Sequence, residues 1–159
     1  EMAYWMKSVM PYTEKNDGNV RWWRMKGAGQ NWNNDMPPAR FIKMTTYNLK
    51  RDKSSDFFRF WRNNVKLQKA LGYSGVSGVF MLESGGQAYQ VMEVEGYNSH
   101  AEGKGAFKNP DVNYIEEYNK MFGWRSHRND QAAFNAAIEQ WGITIETAEL
   151  KPEMSSKLK

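Results

Sequence analysis

The chain has no cysteine among its 159 residues. That removes a disulfide framework, a thiolate metal site and a cysteine nucleophile at once. It has two histidines, His100 and His127, too few without cysteine for a structural zinc site. No apolar run approaches about 18 residues, so no helical membrane span is expected. No Gly-rich phosphate loop opens a helix, and no Gly-x-Ser-x-Gly elbow is present. The chain can bury a core of its own without staples. It begins at Glu1, which we read as a soluble chain processed after loss of a targeting peptide.

What is present is aromatic. Four of the seven tryptophans, Trp5, Trp22, Trp23 and Trp32, fall within the first 32 residues. Two of them are flanked by Arg21 and Arg24. Aromatics interleaved with guanidinium groups can stack, bury area and grip anions together. Residues 1–53 carry ten Lys/Arg against five Asp/Glu, whereas the remainder is slightly acidic within a total of +4. Residues 1–40 therefore read as an aromatic, basic arm, bounded by Pro37-Pro38. Arg21, Trp22, Trp23 and Arg24 are its partner-binding candidates, toward another protein or a peripheral lipid surface. In an extended segment Trp22 and Trp23 face opposite ways, so one needs a surface beyond the chain's own domain.

From residue 41 the pattern is periodic. Val20–Met25 reads as a short strand ahead of it. Phe41–Leu49 reads as a strand, and a helix capped by Ser55 runs to Leu71 with Gly72 as its stop. Val76–Glu83 and Ala88–Gly96 form a hairpin around Ser84-Gly85-Gly86-Gln87. Ser99-His100-Ala101-Glu102 fits a capping box, and Asn109-Pro110 reads as a second helix start. A further helix is expected over 130–141, with Phe134, Ile138 and Trp141 on one face. Ile143–Leu150 reads as the last strand, with a polar tail at 151–159. This is the β-α-β-β-α-β order of a ferredoxin-like α+β domain over 41–150, an antiparallel sheet with helices on one face. Phe41, Thr45, Tyr47 and Leu49 lie on one face of the first strand and Ile42, Met44 and Thr46 on the other. A single sheet with apolar residues on both faces implies a partner, a homodimer or higher oligomer. Glu93 and Glu95 share a strand face, either as a carboxylate pair sharing a proton or as the wetter side of the hairpin. The acidic third strand, AYQVMEVEG, argues against a nucleic-acid sheet surface.

The element order and the segment from Val94 to Pro110 (VEGYNSHAEGKGAFKNP), with His100 and Phe107, resemble the antibiotic-biosynthesis-monooxygenase-like superfamily, the dimeric α+β barrels, over about residues 40–150. The arm and the 130–141 helix depart from the minimal fold. The resemblance implies a small hydrophobic-molecule-binding protein, with a cofactor-independent monooxygenase or isomerase as the catalytic version. It places a pocket between sheet and helices, lined by Tyr47, Trp61, Phe80 and Met92, with His100 as the catalytic candidate. Haem-degrading members use an Asn, a Trp and a His, residue types met here in Asn48, Trp61 and His100, so haem is the lesser cofactor option. The alternative is a non-enzymatic assembly subunit whose Trp-rich arm docks on a partner chain.

Overall fold

The computed structural model describes residues 20–33, 36–85, 89–101, 103 and 105–151. The order is β1 (Arg21–Arg24), β2 (Phe41–Leu49), α1 (Ser54–Ala70), β3 (Val76–Ser84), β4 (Gln90–Tyr97), α2 (Tyr114–Phe122), α3 (Ser126–Ala136) and β5 (Ile138–Glu149). The strands form one sheet in the order β1-β3-β4-β2-β5, antiparallel throughout. Removing β1 leaves the ferredoxin-like order. The chain is thus α+β, and its expected first strand at 41–49 forms as read.

The helix layer is held by aromatic packing. Phe57 on α1 is wholly buried. Its ring stacks on Phe134 of α3 at 4.6 Å and Trp61 at 5.6 Å, and meets Tyr47 of β2 edge-on at 5.2 Å. Burying such a ring stabilises by roughly 1.5–3 kcal/mol, and each aromatic pair adds about 0.5–1.5 kcal/mol. The helix ends in a Schellman turn. Gly72, at φ +66°, lets its own N–H reach Lys69 O at 3.2 Å while the Tyr73 N–H reaches Gln68 O at 2.9 Å.

Four expectations are corrected. Arg21–Arg24 is no separate arm but an edge strand: Trp22 stands opposite Leu82 and Trp23 opposite Met81. Residues 1–19 and 152–159 lie outside the described residues. The last helix ends at Ala136, and Ile138–Trp141 belongs to β5. Ala137 and Ile138 are buried in the core and Ile138 pairs with Leu49, which overrides the helical spacing of Phe134, Ile138 and Trp141. Among the described residues around Ser99 there is only a turn, in which the Ser99 hydroxyl accepts the Ala101 N–H at 3.2 Å. Asn109 likewise closes a turn, accepting from the Asp111 N–H. The helix begins four residues further on, where the Asn113 side chain accepts from the Glu116 N–H at 3.3 Å.

A polar knot ties the three helices together. Asp130 of α3 accepts from the Arg59 guanidinium at 2.9 Å, the Asn63 amide at 3.1 Å and the Tyr118 hydroxyl at 2.9 Å. Burial pushes the Asp130 carboxyl up, but hydrogen bonds from Arg59, Tyr118 and Asn63 outweigh it and hold it below the usual carboxylate range. A carboxylate depressed in the folded state stabilises above its ordinary pKa, and that stability is lost as pH falls through the folded value. Asp130→Ala is expected to cost about 2–4 kcal/mol, since it leaves the buried Tyr118 hydroxyl and two donors unpaired. Thermal melts across pH should show a wild-type loss below about pH 4 that Asp130→Asn flattens. An unchanged acid limb in that variant would remove Asp130 as its source.

Candidate functional site

The sheet has two unlike faces. Opposed residues of an antiparallel pair share a face, so the register sorts them. Thr45, Tyr47, Leu49, Val79 and Val91 face the helices. Ile42, Met44, Thr46, Phe80, Met92 and Val94 face the other way, and no described helix covers them.

A strap of chain crosses that open face at one end. Met25 and Gln30 bond to β3 through Val79 O and Ser77, and Gln30 is almost fully buried. The chain then turns onto the open face. Trp32 lies over Gly78 and meets Phe80 edge-on at 5.9 Å, with the Arg24 guanidinium 5.3 Å above its ring. A Cβ at position 78 would stand 2.9 Å from Trp32 Cε3, so the indole requires glycine beneath it. Ala39 touches down similarly on Gly96, where a Cβ would stand 3.0 Å from its own.

Between those two contacts, Asn33, Met36, Pro37 and Pro38 face the sheet across a gap. The resulting cleft has a volume of about 490 Å³. Ile42, Val76 and Val94 make its floor, and Trp32, Met36 and Pro37 are among its walls. Asn33, Asn98 and Tyr97 add polar groups. The Asn98 carbonyl accepts the Arg40 N–H at 3.1 Å, which fixes the amide. The volume and the mostly apolar lining are those of a small-molecule site. Amides orient a ligand but do not transfer protons at ordinary pH.

The expected pocket between sheet and helices does not form from its five residues. Tyr47 and Trp61 are packed in the helix-side core, where the Trp61 indole N–H donates to Ala28 O at 3.0 Å. Phe80 and Met92 oppose each other on the open face. His100 is exposed beyond β4, its ring 4.3 Å from Phe41 and 5.3 Å from Tyr97. Tyr97 borders the cleft, but His100 does not line it, and the Phe41–Tyr97 pair is in register with the helix-side face. Asn48 is on the open face, accepting from the Gln90 amide at 2.8 Å. It stands seven residues along β2 from Phe41, where His100 packs, roughly 23 Å away at strand rise. Asn48, Trp61 and His100 therefore do not converge, and these residues do not fit a haem site. Among the described residues no cluster of three metal-ligating side chains occurs. No described helix is long and apolar enough to cross a membrane.

Under the helices lies a smaller cavity of about 240 Å³, bordered by Phe60, Trp61, Asn64, Gln68 and Glu93. Glu93 and Glu95 thus face the helix layer, opposite Thr45 and Lys43, and not the wetter side of the hairpin. Lys43 pairs with Glu95 at 3.7 Å. Burial, then the charges of Glu93 and Glu95, push the Tyr47 phenol well above its ordinary range. Burial likewise pushes Tyr114 up to about 12. Both phenols stay protonated at working pH and act as donors, not bases.

These features define a single-sheet α+β domain with an apolar, amide-rimmed cleft on the face that no described helix covers. The chain matches no protein-family model and no curated protein. Sequence reading placed Trp32 in the arm and did not join it to Gly78, 46 positions away. No local signal connects the two.

Gly78→Ala is expected to displace the Trp32 ring and destabilise by about 1–3 kcal/mol through overpacking. Tryptophan emission should shift to the red as the indole meets water. A variant with wild-type emission and melting temperature would show that Gly78 does not seat Trp32.

Proposed function

We propose that the chain binds a small, largely apolar molecule in the cleft beneath the strap. The observation that carries this reading is the cleft itself: apolar floor and walls, rimmed by asparagine amides. The resemblance to dimeric α+β barrels supports the same class of function. In a catalytic version, monooxygenation or isomerisation, His100 is the expected catalytic residue, its ring 5.3 Å from that of Tyr97 at the cleft border.

Partner docking is supported by a different observation. Trp23 is 46% exposed on β1, an edge of the sheet, with Arg21 and Arg24 beside it. That combination suits a second protein chain and keeps the assembly reading alongside the first.

Titration with N-phenyl-1-naphthylamine, an uncharged apolar fluorophore, tests the cleft. One saturable site with blue-shifted emission is expected. Ile42→Trp fills the floor and should weaken binding by roughly tenfold or more while the far-ultraviolet dichroism is unchanged. Dye binding that is absent, or equal in the folded Ile42→Trp variant, would sink the proposal.

A further inference from the structure

The two edges of the sheet are built differently. β1 has four residues, two of them arginines, with a register shift between Arg21 and Trp22. Short, cationic, irregular strands are how proteins blunt an edge. β5 has twelve residues and contains no Lys, Arg or Pro. Among the described residues no strand pairs with its outer side. On it Ile143 is 49% exposed and Ile145 59% exposed, on the helix-side face but beyond the helices' reach. Trp141 precedes them at φ +60°, 91% exposed. A left-handed conformation is an outlier for so bulky a residue.

We infer that β5 is a homodimer edge, pairing antiparallel with β5 of a second copy about a two-fold axis at Ile145. Self-complementarity selects the second copy as occupant: an antiparallel edge meets its own donors and acceptors when rotated by a half turn. The register follows from the strand. A two-fold axis normal to the sheet must pass through a residue, because opposed side chains share a face. An axis at Glu146 would set that carboxylate against its own copy. An axis at Ile143 would draw Glu139–Gly142 into the ladder, yet those four residues stand opposite the single Asn48 and break the strand's regular course. An axis at Thr144 leaves only Ile143–Ile145 of the regular segment in the ladder. An axis at Thr147 pairs as many regular residues but sets Ile145 against Glu149, a carboxylate that Arg40 and Lys151 already engage. At Ile145, Ile143–Thr147 all pair regularly. Ile145 then meets its own copy, each Ile143 meets Thr147, and each Glu146 meets a Thr144 hydroxyl able to donate to it. The four isoleucines form one row across the junction. So small an interface gives a reversible, micromolar dimer.

The absence of cysteine makes the test clean. Ile145→Cys places a thiol opposite itself, with Cα atoms about 4.5–5.5 Å apart in an antiparallel pair, within the roughly 4.4–6.8 Å that a disulfide spans. Ile143→Cys serves as the control, since its two copies would lie about 14 Å apart at strand rise. Under mild oxidation the first should form a covalent dimer nearly completely and the second should not. In sedimentation, wild type should dimerise at micromolar concentration. Ile143→Lys/Ile145→Lys, at positions exposed in the monomer, should weaken dimerisation by roughly a hundredfold, with Trp23→Ala unchanged. A monomeric wild type, equal cross-linking of the two cysteine variants, or a dimer indifferent to the lysines would each overturn the inference. None of these readouts involves the cleft, so ligand binding stands or falls separately.

Discussion

The seating of Phe57 against Tyr47 governs the arrangement of the whole chain. Tyr47 lies on β2, an interior strand paired on both sides. Its contact with Phe57, Trp61 and Phe134 assigns that face to the helices. Because side chains alternate along a strand, the same contact assigns Ile42, Met44 and Thr46 to the face the helices leave open. A slip of one residue in β2 would put Tyr47 on the open face and Thr46 under α1. The aromatic cluster thus fixes register, and register decides which residues are left to build the cleft.

The helix-side face is not uniformly apolar. Toward Leu49 and Val91 it is core, while toward the other end it carries Lys43, Glu93, Glu95 and Ser77. Charges at a layer junction are tolerated when paired and partly wet. Lys43 and Glu95 meet that condition, with side chains 26% and 17% exposed. The desolvated phenol of Tyr47 sits where the two regimes meet, which is why both burial and acid charge raise it. The apolar half supplies cohesion. The Asp130 knot between α1, α2 and α3 supplies a directional tie that apolar contact lacks.

Much of the fold was legible because its signals are local. Alternation in FIKMTTYNL, the two hairpin strands and Gly72 as a helix stop each depend on a few neighbouring residues, and each corresponds to an observed feature. The misreadings share a cause. Phe134, Ile138 and Trp141 are spaced as on a helix, but Ile138 is claimed by Leu49 on a strand 89 positions earlier. Glu93 and Glu95 alternate as solvent-facing acids do, yet the opposite face holds Met92 and Val94, and the helices cover the acidic side only in part. The candidate pocket failed for the same reason: residue types were sound, but Tyr47 with Trp61 and Phe80 with Met92 fall on opposite faces of one sheet.

The cleft is a product of where side chains are missing. A strap laid across a pleated sheet is ordinarily held off evenly by the Cβ layer beneath it. Here glycine removes that layer at two open-face positions, Gly78 and Gly96, and the strap descends onto both. The ladder partners of those glycines, Val94 and Val76, keep their side chains. Between its two landings the strap therefore spans a ridge of valine and isoleucine that it does not follow. The segment that spans it includes Pro37-Pro38, whose rings fix φ and leave no N–H to bond the sheet. Such a segment resists collapse onto the floor. The space persists because two fixed φ angles limit how closely this stretch of chain can follow the floor.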